Sequence, residues 1–370
     1  MINLLFSCAA LGVAGYSEAS RNYISALNLY PDQVNLAVKS VNFEAVQTDN
    51  STYLNKIGPL LNKSIKPDTN IVHMVPPLMV SYTKPGIPNI GYTVWETTKL
   101  PENWVTICNK MSEIWVPSAW NVEVFKDSGV KVTVKKIEHT VDLNQFSQSV
   151  TVDLGLPKDK FIFYSIFQWS ERKNPAATIK AFLSEFSKND DVVLVLKTYK
   201  KDGSQLDRDS VRDEINAIKA SMHISDAPQI TLLHKMMSRQ EILSLHRTGH
   251  CLVSPHRAEG WGCTIQEALA MGTPVIATGF GGNMEFMNSD NSYVLDYHLT
   301  PVSGMSMNIY SGRGMWAEPD VGQLMAYMRH AYEHHSDAKR KAVDNISMQE
   351  RYSWSNIGKK MIDTLNGRMA

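Results

Sequence analysis

Short apolar, β-branched runs alternate with helical-period segments along this chain, and near residue 157 the alternation starts again. In the first half the strand-like pieces are Asn3–Ser7, Asn35–Val38, Asn70–Val75, Asn89–Thr93, Glu113–Val116 and Lys131–Lys135. Amphipathic stretches such as Ser17–Leu29 and Asn103–Cys108 lie between them. Apolar strands separated by helix-length connections predict parallel βαβ units whose sheets are covered on both faces.

The second series begins after the polar turn Pro157-Lys158-Asp159-Lys160. Its strands are expected at Phe161–Ile166, Val192–Lys197, Gln229–Leu233, Gly249–Ser254 and Pro274–Thr278. Helices are expected at Ala176–Phe186, Ser210–Met222, Ser238–Arg247 and Thr264–Met271, with closing helices over about Val321–His335 and Asn356–Leu365. A length of 370 residues with 43% hydrophobic side chains suits two such domains better than one. The boundary falls near Gly155–Lys158, giving domains 1–157 and 158–350 and a C-terminal helical tail, 351–370. Two doubly wound domains in tandem set the carboxyl ends of their strands around a central cleft, where nucleotide-type ligands bind.

Charge and cysteine usage exclude several classes. Lys+Arg and Asp+Glu both number 37, and residues 1–157 carry 12 basic against 13 acidic side chains. A long nucleic-acid footprint or an anionic-membrane surface is disfavoured by that balance. The four cysteines, Cys8, Cys108, Cys251 and Cys263, lack C-x-x-C spacing and read as reduced thiols of a cytoplasmic protein. No Lys or Arg precedes the apolar N-terminus, which reads as a first buried strand rather than a signal peptide. No run is long and apolar enough for a transmembrane helix.

The segment from Ser254 to Thr278 carries the most chemistry. It reads as strand, glycine loop, helix, turn and strand. Gly260 and Gly262 let the backbone approach a ligand closely. Cys263 and Thr264 present free N–H groups at the helix start, which suits a phosphate. Glu259 precedes this helix and Glu267 lies about one turn into it. Carboxylates beside a phosphate site make sense if they accept hydrogen bonds from sugar or ribose hydroxyls.

This segment resembles the E-x7-E signature of the family 4 retaining glycosyltransferases of the "glycosyltransferase group 1" type, matched by Glu259 and Glu267. Ser170-Glu171-Arg172-Lys173-Asn174-Pro175 resembles that family's donor-diphosphate segment. His139-Thr140-Val141-Asp142 with Phe146 resembles its H-G-V-D-x-x-x-F turn, with Thr140 in place of Gly. Val116-Pro117-Ser118 and Tyr352-Ser353-Trp354 resemble further family positions, so the likeness covers most of the chain.

The resemblance implies the GT-B fold: two Rossmann-like domains, the N-terminal one on the acceptor side, the C-terminal one holding a nucleoside-diphosphate-sugar, and the C-terminal helix crossing back to the N-terminal domain. It implies metal-independent transfer of a hexose or pentose to a hydroxyl acceptor, with retention by a same-face mechanism. Arg172 and Lys173 would neutralise the diphosphate, Glu259 would hold the transferred sugar and Glu267 the ribose. The backbone of Gly260, Trp261, Gly262, Cys263 and Thr264 would embrace sugar and diphosphate, with Trp261 where the family usually has Phe. Gly15, in the first glycine turn, is either a phosphate contact or part of an ordinary strand–helix turn. Lys197, at a strand's carboxyl end, is either a third phosphate contact or an exposed lysine. Glu96 stands where many relatives carry a His that contacts the donor sugar, and this departure makes it a candidate to bind, or help deprotonate, the acceptor hydroxyl. His73 is a second acceptor-side candidate, or a structural histidine. Gly281-Gly282 reads as a further ligand-side loop or as a plain βα turn.

The resemblance leaves the nucleotide, the sugar and the acceptor open among glycans, lipids, small molecules and a DNA base. A DNA acceptor would need lysines such as Lys56, Lys63 and Lys66 gathered at the site. A non-catalytic nucleotide-sugar binder is the alternative outside catalysis. A dinucleotide-dependent oxidoreductase is disfavoured, because the glycines at 12 and 15 do not complete a Gly-x-Gly-x-x-Gly turn. The only D-x-D, Asp207-Arg208-Asp209, reads as a solvated loop, and no metal or other cofactor is expected.

Overall fold

Six parallel strands organise the first half of the chain. They are β1 (Ile2–Cys8), β2 (Val34–Ser40), β3 (Thr69–His73), β4 (Asn89–Tyr92), β5 (Glu113–Val116) and β6 (Val134–Lys136), ordered β2-β1-β3-β4-β5-β6. The helices among them are α1 (Gly15–Leu27), α2 (Pro76–Met79), α3 (Glu102–Cys108) and α4 (Ala119–Asp127). The computed structural model describes residues 1–12, 15–41, 55–142, 145–146, 151–305, 309–310, 313–342 and 345–369. Val13 and Ala14 of the first glycine turn lie outside the described residues.

Local chemistry explains where these elements begin and end. The third strand stops at His73 because Val75 is held extended ahead of Pro76, which opens α2. Ser118 caps α4 by accepting from the Asn121 N–H at 3.1 Å. The sixth strand begins at Val134 rather than at Lys131, as the sequence suggested. The Lys131 N–H donates to Asn109 Oδ1 at 2.6 Å, which takes that amide out of the ladder.

A second set of six parallel strands follows. These are β7 (Phe161–Gln168), β8 (Val192–Tyr199), β9 (Gln229–Leu233), β10 (Cys251–Ser254), β11 (Val275–Thr278) and β12 (Tyr293–Leu295), ordered β12-β11-β10-β7-β8-β9. An antiparallel pair, β13 (Tyr297–Pro301) and β14 (Met315–Pro319), stands apart from the sheet. The helices are α5 (Pro175–Glu185), α6 (Gln205–Ser221), α7 (Arg239–Thr248), α8 (Cys263–Ala270), α9 (Val321–Glu333), α10 (His335–Lys341), α11 (Asn345–Arg351) and α12 (Trp354–Met369). A full capping box, Ser238 with Glu241, starts α7. Phe163, Phe182, Leu194, Val253, Ile276 and Leu324 fill the core between this sheet and its helices.

By their contacts, residues 1–143 and 349–370 form one unit and residues 144–348 the other. In the first unit α12 lies directly on α1. A Cβ at Gly358 would sit 2.4 Å from the Ala26 carbonyl oxygen, and Trp354 Nε1 donates to Asn22 Oδ1 at 2.9 Å. Among the described residues no helix is long and apolar enough to cross a membrane.

The D-x-D pair is not a solvated loop. Asp207 opens α6 and is 7% exposed. Its carboxylate accepts the N–H groups of Lys200, Lys201 and Gly203 at 3.0–3.2 Å, so it organises the chain leaving β8. Among the described residues no cluster of three metal-ligating side chains is found.

Candidate functional site

The second sheet reverses direction of growth at β7. From β7 the chain moves outward through β8 and β9, then returns to place β10 on the other side of β7. Such a switch point, outside the carboxyl ends of β7 and β10, is the usual ligand crevice of an open parallel sheet. The loop after β7 contains Glu171, Arg172 and Lys173 in one 3₁₀ turn. The loop after β10 carries His256, Arg257 and Glu259. Residues separated by 86 positions in sequence meet there.

Lys173 Nζ forms an ion pair with Glu259 Oε2. Arg172 Nη1 lies 3.7 Å from the same carboxylate and donates to the Ala258 carbonyl at 2.9 Å. The side chains of Arg172 and Lys173 are 18% exposed and that of Glu259 12%. The basic turn is thus not a freely solvated one. Burial alone would raise the pKa of Glu259, but the Lys173 and Arg172 charges outweigh it and hold the carboxyl at about 2. Burial, with a smaller push from Lys173 and against the pull of Glu259, lowers His256 to about 4. The neutral ring sits with Nε2 3.2 Å from the Phe280 carbonyl, which anchors the loop after β11.

That loop carries Gly281 and Gly282, and here glycine is required. Gly281 has φ +102°, and a Cβ there would fall 2.2 Å from the Glu259 carbonyl oxygen. At Gly282 the clash would be 1.8 Å, with the Gly260 carbonyl oxygen. The Gly282 N–H instead donates to Glu259 O at 2.8 Å. Two backbones in direct contact fix the carboxylate's position. Gly262, with φ +91°, then turns the chain into α8, leaving Cys263 and Thr264 in its first turn. Trp261 is 2% exposed, its ring tilted against Phe286 at 5.0 Å and bonded through Nε1 to Gln266. Its side chain belongs to the core, and only its backbone remains for a ligand.

Glu267 is buried one turn along α8, with Arg239 Nη1 at 2.7 Å and His246 Nε2 at 3.4 Å. Burial opposes its ionisation, yet the Arg239 charge and the His246 bond keep its pKa below the ordinary value. Lys197 ends up beside Leu233 at the carboxyl end of β8 and is 5% exposed, so it is not an exposed lysine. Burial lowers its pKa to about 8, against an opposing pull from Glu241. Its ammonium stands 5.1 Å from the Tyr199 ring, and among the described residues no ion pair to it is found.

The remaining candidates belong to the first unit. Gly15 opens α1 after β1, with free space where a Cβ would be. Next to it, Tyr16 bonds Thr93 at 2.9 Å, and its hydroxyl titrates above the usual range through burial and the Glu96 charge. Glu96 is half-buried beyond the end of β4. His73 is 1% exposed, with Nδ1 2.7 Å from Ser20 Oγ and its ring packed among Tyr16, Tyr23 and Tyr92. Burial keeps its pKa well below the usual value. Lys56, Lys63 and Lys66 also lie in this unit, where Lys63 bonds Asn35 at 2.7 Å.

Sequence reasoning gave no role to His256, Arg257, Arg239 or His246. The first two stand beside Glu259 in the segment it singled out, but their partners lie on other loops. Arg239 and His246 lie on the capped helix α7, and no pattern in the chain announced that Glu267 would meet them.

Residues 148–297 match the sequence profile of "Glycosyl transferases group 1". A D-inositol 3-phosphate glycosyltransferase from Corynebacterium urealyticum is 25% identical over 213 residues, which cover 57% of this chain and 44% of that protein. The chain thus spans less than half the length of this curated relative. Among solved structures, Anabaena HepE in complex with UDP and glucose superposes with a TM-score of 0.69 at 14% identity, covering 99% of this chain and 100% of that one. Sucrose-phosphate synthase from Thermosynechococcus elongatus gives 0.71 at 12% identity, covering 100% and 99%. The two parallel six-stranded sheets share the GT-B fold of these structures. Over residues 148–297, the chain is similar to the glycosyl transferases group 1.

Proposed function

We propose that this protein is a retaining, metal-independent glycosyltransferase that moves a sugar from a nucleoside diphosphate to a hydroxyl acceptor. One observation carries the reading: Arg172 and Lys173 converge with Glu259 at the crevice between β7 and β10. Two cations against one carboxylate leave a net single positive charge, in a setting where burial strengthens electrostatics. A diphosphate is an anion of the right kind to take those cations. As the bond between the sugar's anomeric carbon and the phosphate oxygen breaks, charge grows on that oxygen. Fixed cations there favour the transition state over the ground state.

In this reading Glu259, once its cations turn to the phosphate, accepts hydrogen bonds from the sugar hydroxyls. Glu267 takes the ribose hydroxyls, and Lys197 provides a third cation for the nucleotide. The backbone of Gly260–Thr264 lines the sugar and diphosphate. His73 packs the interior of the first unit. The acceptor oxygen bonds the anomeric carbon on the face from which the phosphate departs and passes its proton to the departing phosphate oxygen, so configuration is retained. HepE in complex with UDP supports the choice of nucleotide class. The buried thiols Cys8, Cys108 and Cys251 fit a cytoplasmic setting.

The test is incubation with radiolabelled UDP-, GDP-, ADP- and TDP-sugars, scoring hydrolysis and transfer with a chelator present. The expected outcome is turnover of one donor, undiminished by chelation, with an anomeric configuration in the product matching the donor's. Turnover that chelation abolishes, or an inverted product, contradicts the mechanism. Tight binding with no turnover on any acceptor favours the non-catalytic alternative.

A further inference from the structure

Arg257 stands two residues before Glu259, and all of its polar groups are engaged. Its N–H donates to the Arg172 carbonyl at 2.8 Å, and its own carbonyl accepts from the Ala317 N–H on β14, also at 2.8 Å. Its guanidinium reaches Glu171 at 2.8 Å from Nη1 and Glu318 at 2.6 Å from Nε. Nη1 also donates to the Glu171 carbonyl at 2.9 Å. Glu318, on β14, accepts in turn from Asn174 Nδ2 at 3.4 Å.

The residues so tied are those on either side of the cation pair. Arg172 and Lys173 lie between Glu171, held by Arg257, and Asn174, held by Glu318. Asn174 adopts a left-handed conformation with φ 55°, one that asparagine accommodates better than most side chains. Its side chain also caps α5 by accepting from Ala177 N at 3.3 Å. Gly304, between β13 and β14, packs on Glu171, with a Cβ there falling 3.0 Å from Glu171 Cγ. The β13–β14 hairpin thus supports the turn from outside the sheet.

We propose that Arg257 and Glu318 are positioning residues that set Arg172 and Lys173 in register for a diphosphate. The inference rests on the nucleotide-diphosphate reading of the same crevice and adds that the cations work only while both flanks are fastened. Long, flexible cationic side chains bind anions well only when their backbone is fixed to a fraction of an ångström. Arg257 itself has its guanidinium between two carboxylates and is not a ligand group.

The test compares the unmodified chain with Arg257→Gln, Glu318→Gln and the double variant. Calorimetry gives affinities for UDP, GDP, ADP and TDP, and ligand-detected NMR gives that for the matching nucleoside without phosphates. The measurements are made well below each variant's melting temperature. Loss of positioning predicts about tenfold weaker diphosphate binding with nucleoside affinity within about twofold. It also predicts that the double variant is no worse than Arg257→Gln, since both act through one clamp. Glu318→Gln keeps a hydrogen-bonding oxygen and is the milder change if Arg257→Gln fails to fold. Diphosphate affinity unchanged in a folded single variant overturns the inference, as does an equal loss for diphosphate and nucleoside. An unmodified chain that binds none of the four diphosphates overturns the reading of the crevice and this inference with it.

Discussion

Glu259 occupies two states in this account, paired with Lys173 and Arg172 when the site is empty and facing sugar hydroxyls when the phosphates claim those cations. Replacing Glu259 by Gln frees the cations in advance. Affinity for the nucleoside diphosphate then rises severalfold while sugar transfer falls, which calorimetry and turnover measure separately. Lys173→Ala has the opposite balance, with diphosphate binding weakened and turnover reduced by about 10²–10³-fold, the usual loss of a preorganised charge partner. Lys197 brings a pH dependence. Its pKa is depressed to about 8, so the cation is present below that pH in the empty site and lost above it. A bound anion holds the proton, so nucleotide affinity falls as pH rises above about 8, and the fall disappears in Lys197→Met. For stability the sign is reversed. Between about 8 and the ordinary value of 10.5 the unfolded chain binds more protons, so folding gains as pH rises through that window. Denaturant titrations at pH 7 and 10 test this, and Lys197→Met should flatten the difference.

At the scale of elements, the site depends on contacts between loops more than on any loop alone. Gly282→Ala forces a methyl group into the Gly260 carbonyl, 1.8 Å away. Separation of the two loops is expected to cost about 1–3 kcal/mol and to abolish nucleotide binding, read by denaturant unfolding and calorimetry. A variant that binds normally would show that the Glu259 loop does not lean on its neighbour. The sheets were legible in the sequence because parallel strands buried on both faces read as nearly continuous apolar runs. Val192–Lys197 and Glu113–Val116 are apolar enough to be read directly. The helix α4 was not singled out because only Ser118 marks its start and its Trp120, Val122, Val124 and Phe125 are weak helix formers. The β13–β14 hairpin escaped because β13 is largely exposed and lacks an apolar run. In the site, Glu259 and the Arg172–Lys173 pair were recognisable as motifs. Arg239, His246 and Glu318 were not, because their meaning comes from partners on other elements. Asp207 misled because a carboxylate bonded to three amides looks, in sequence, like any acidic residue in a polar stretch.

For the whole molecule, both units contain buried histidines whose neutral form folding requires. Burial holds His139 at about 3 and His256 at about 4, against an ordinary 6.5. Below 6.5 the unfolded chain takes up protons these rings refuse, so stability falls with pH by about 1.4 kcal/mol per unit for each. Glu259, held at about 2, adds a loss that begins only below its ordinary 4.5. Melting temperature should therefore drop from near pH 6.5 downward, well before the carboxylates titrate, and a flat profile to pH 4.5 would contradict these burials. The central claim is that a diphosphate seats between β7 and β10. It is tested most directly by a crystal structure with a bound nucleoside diphosphate. Phosphate oxygens are expected within hydrogen-bond reach of Lys173 Nζ and the Arg172 guanidinium, with Glu259 released from Lys173. A nucleotide bound elsewhere, or phosphates seated in that crevice away from both cations, would contradict it.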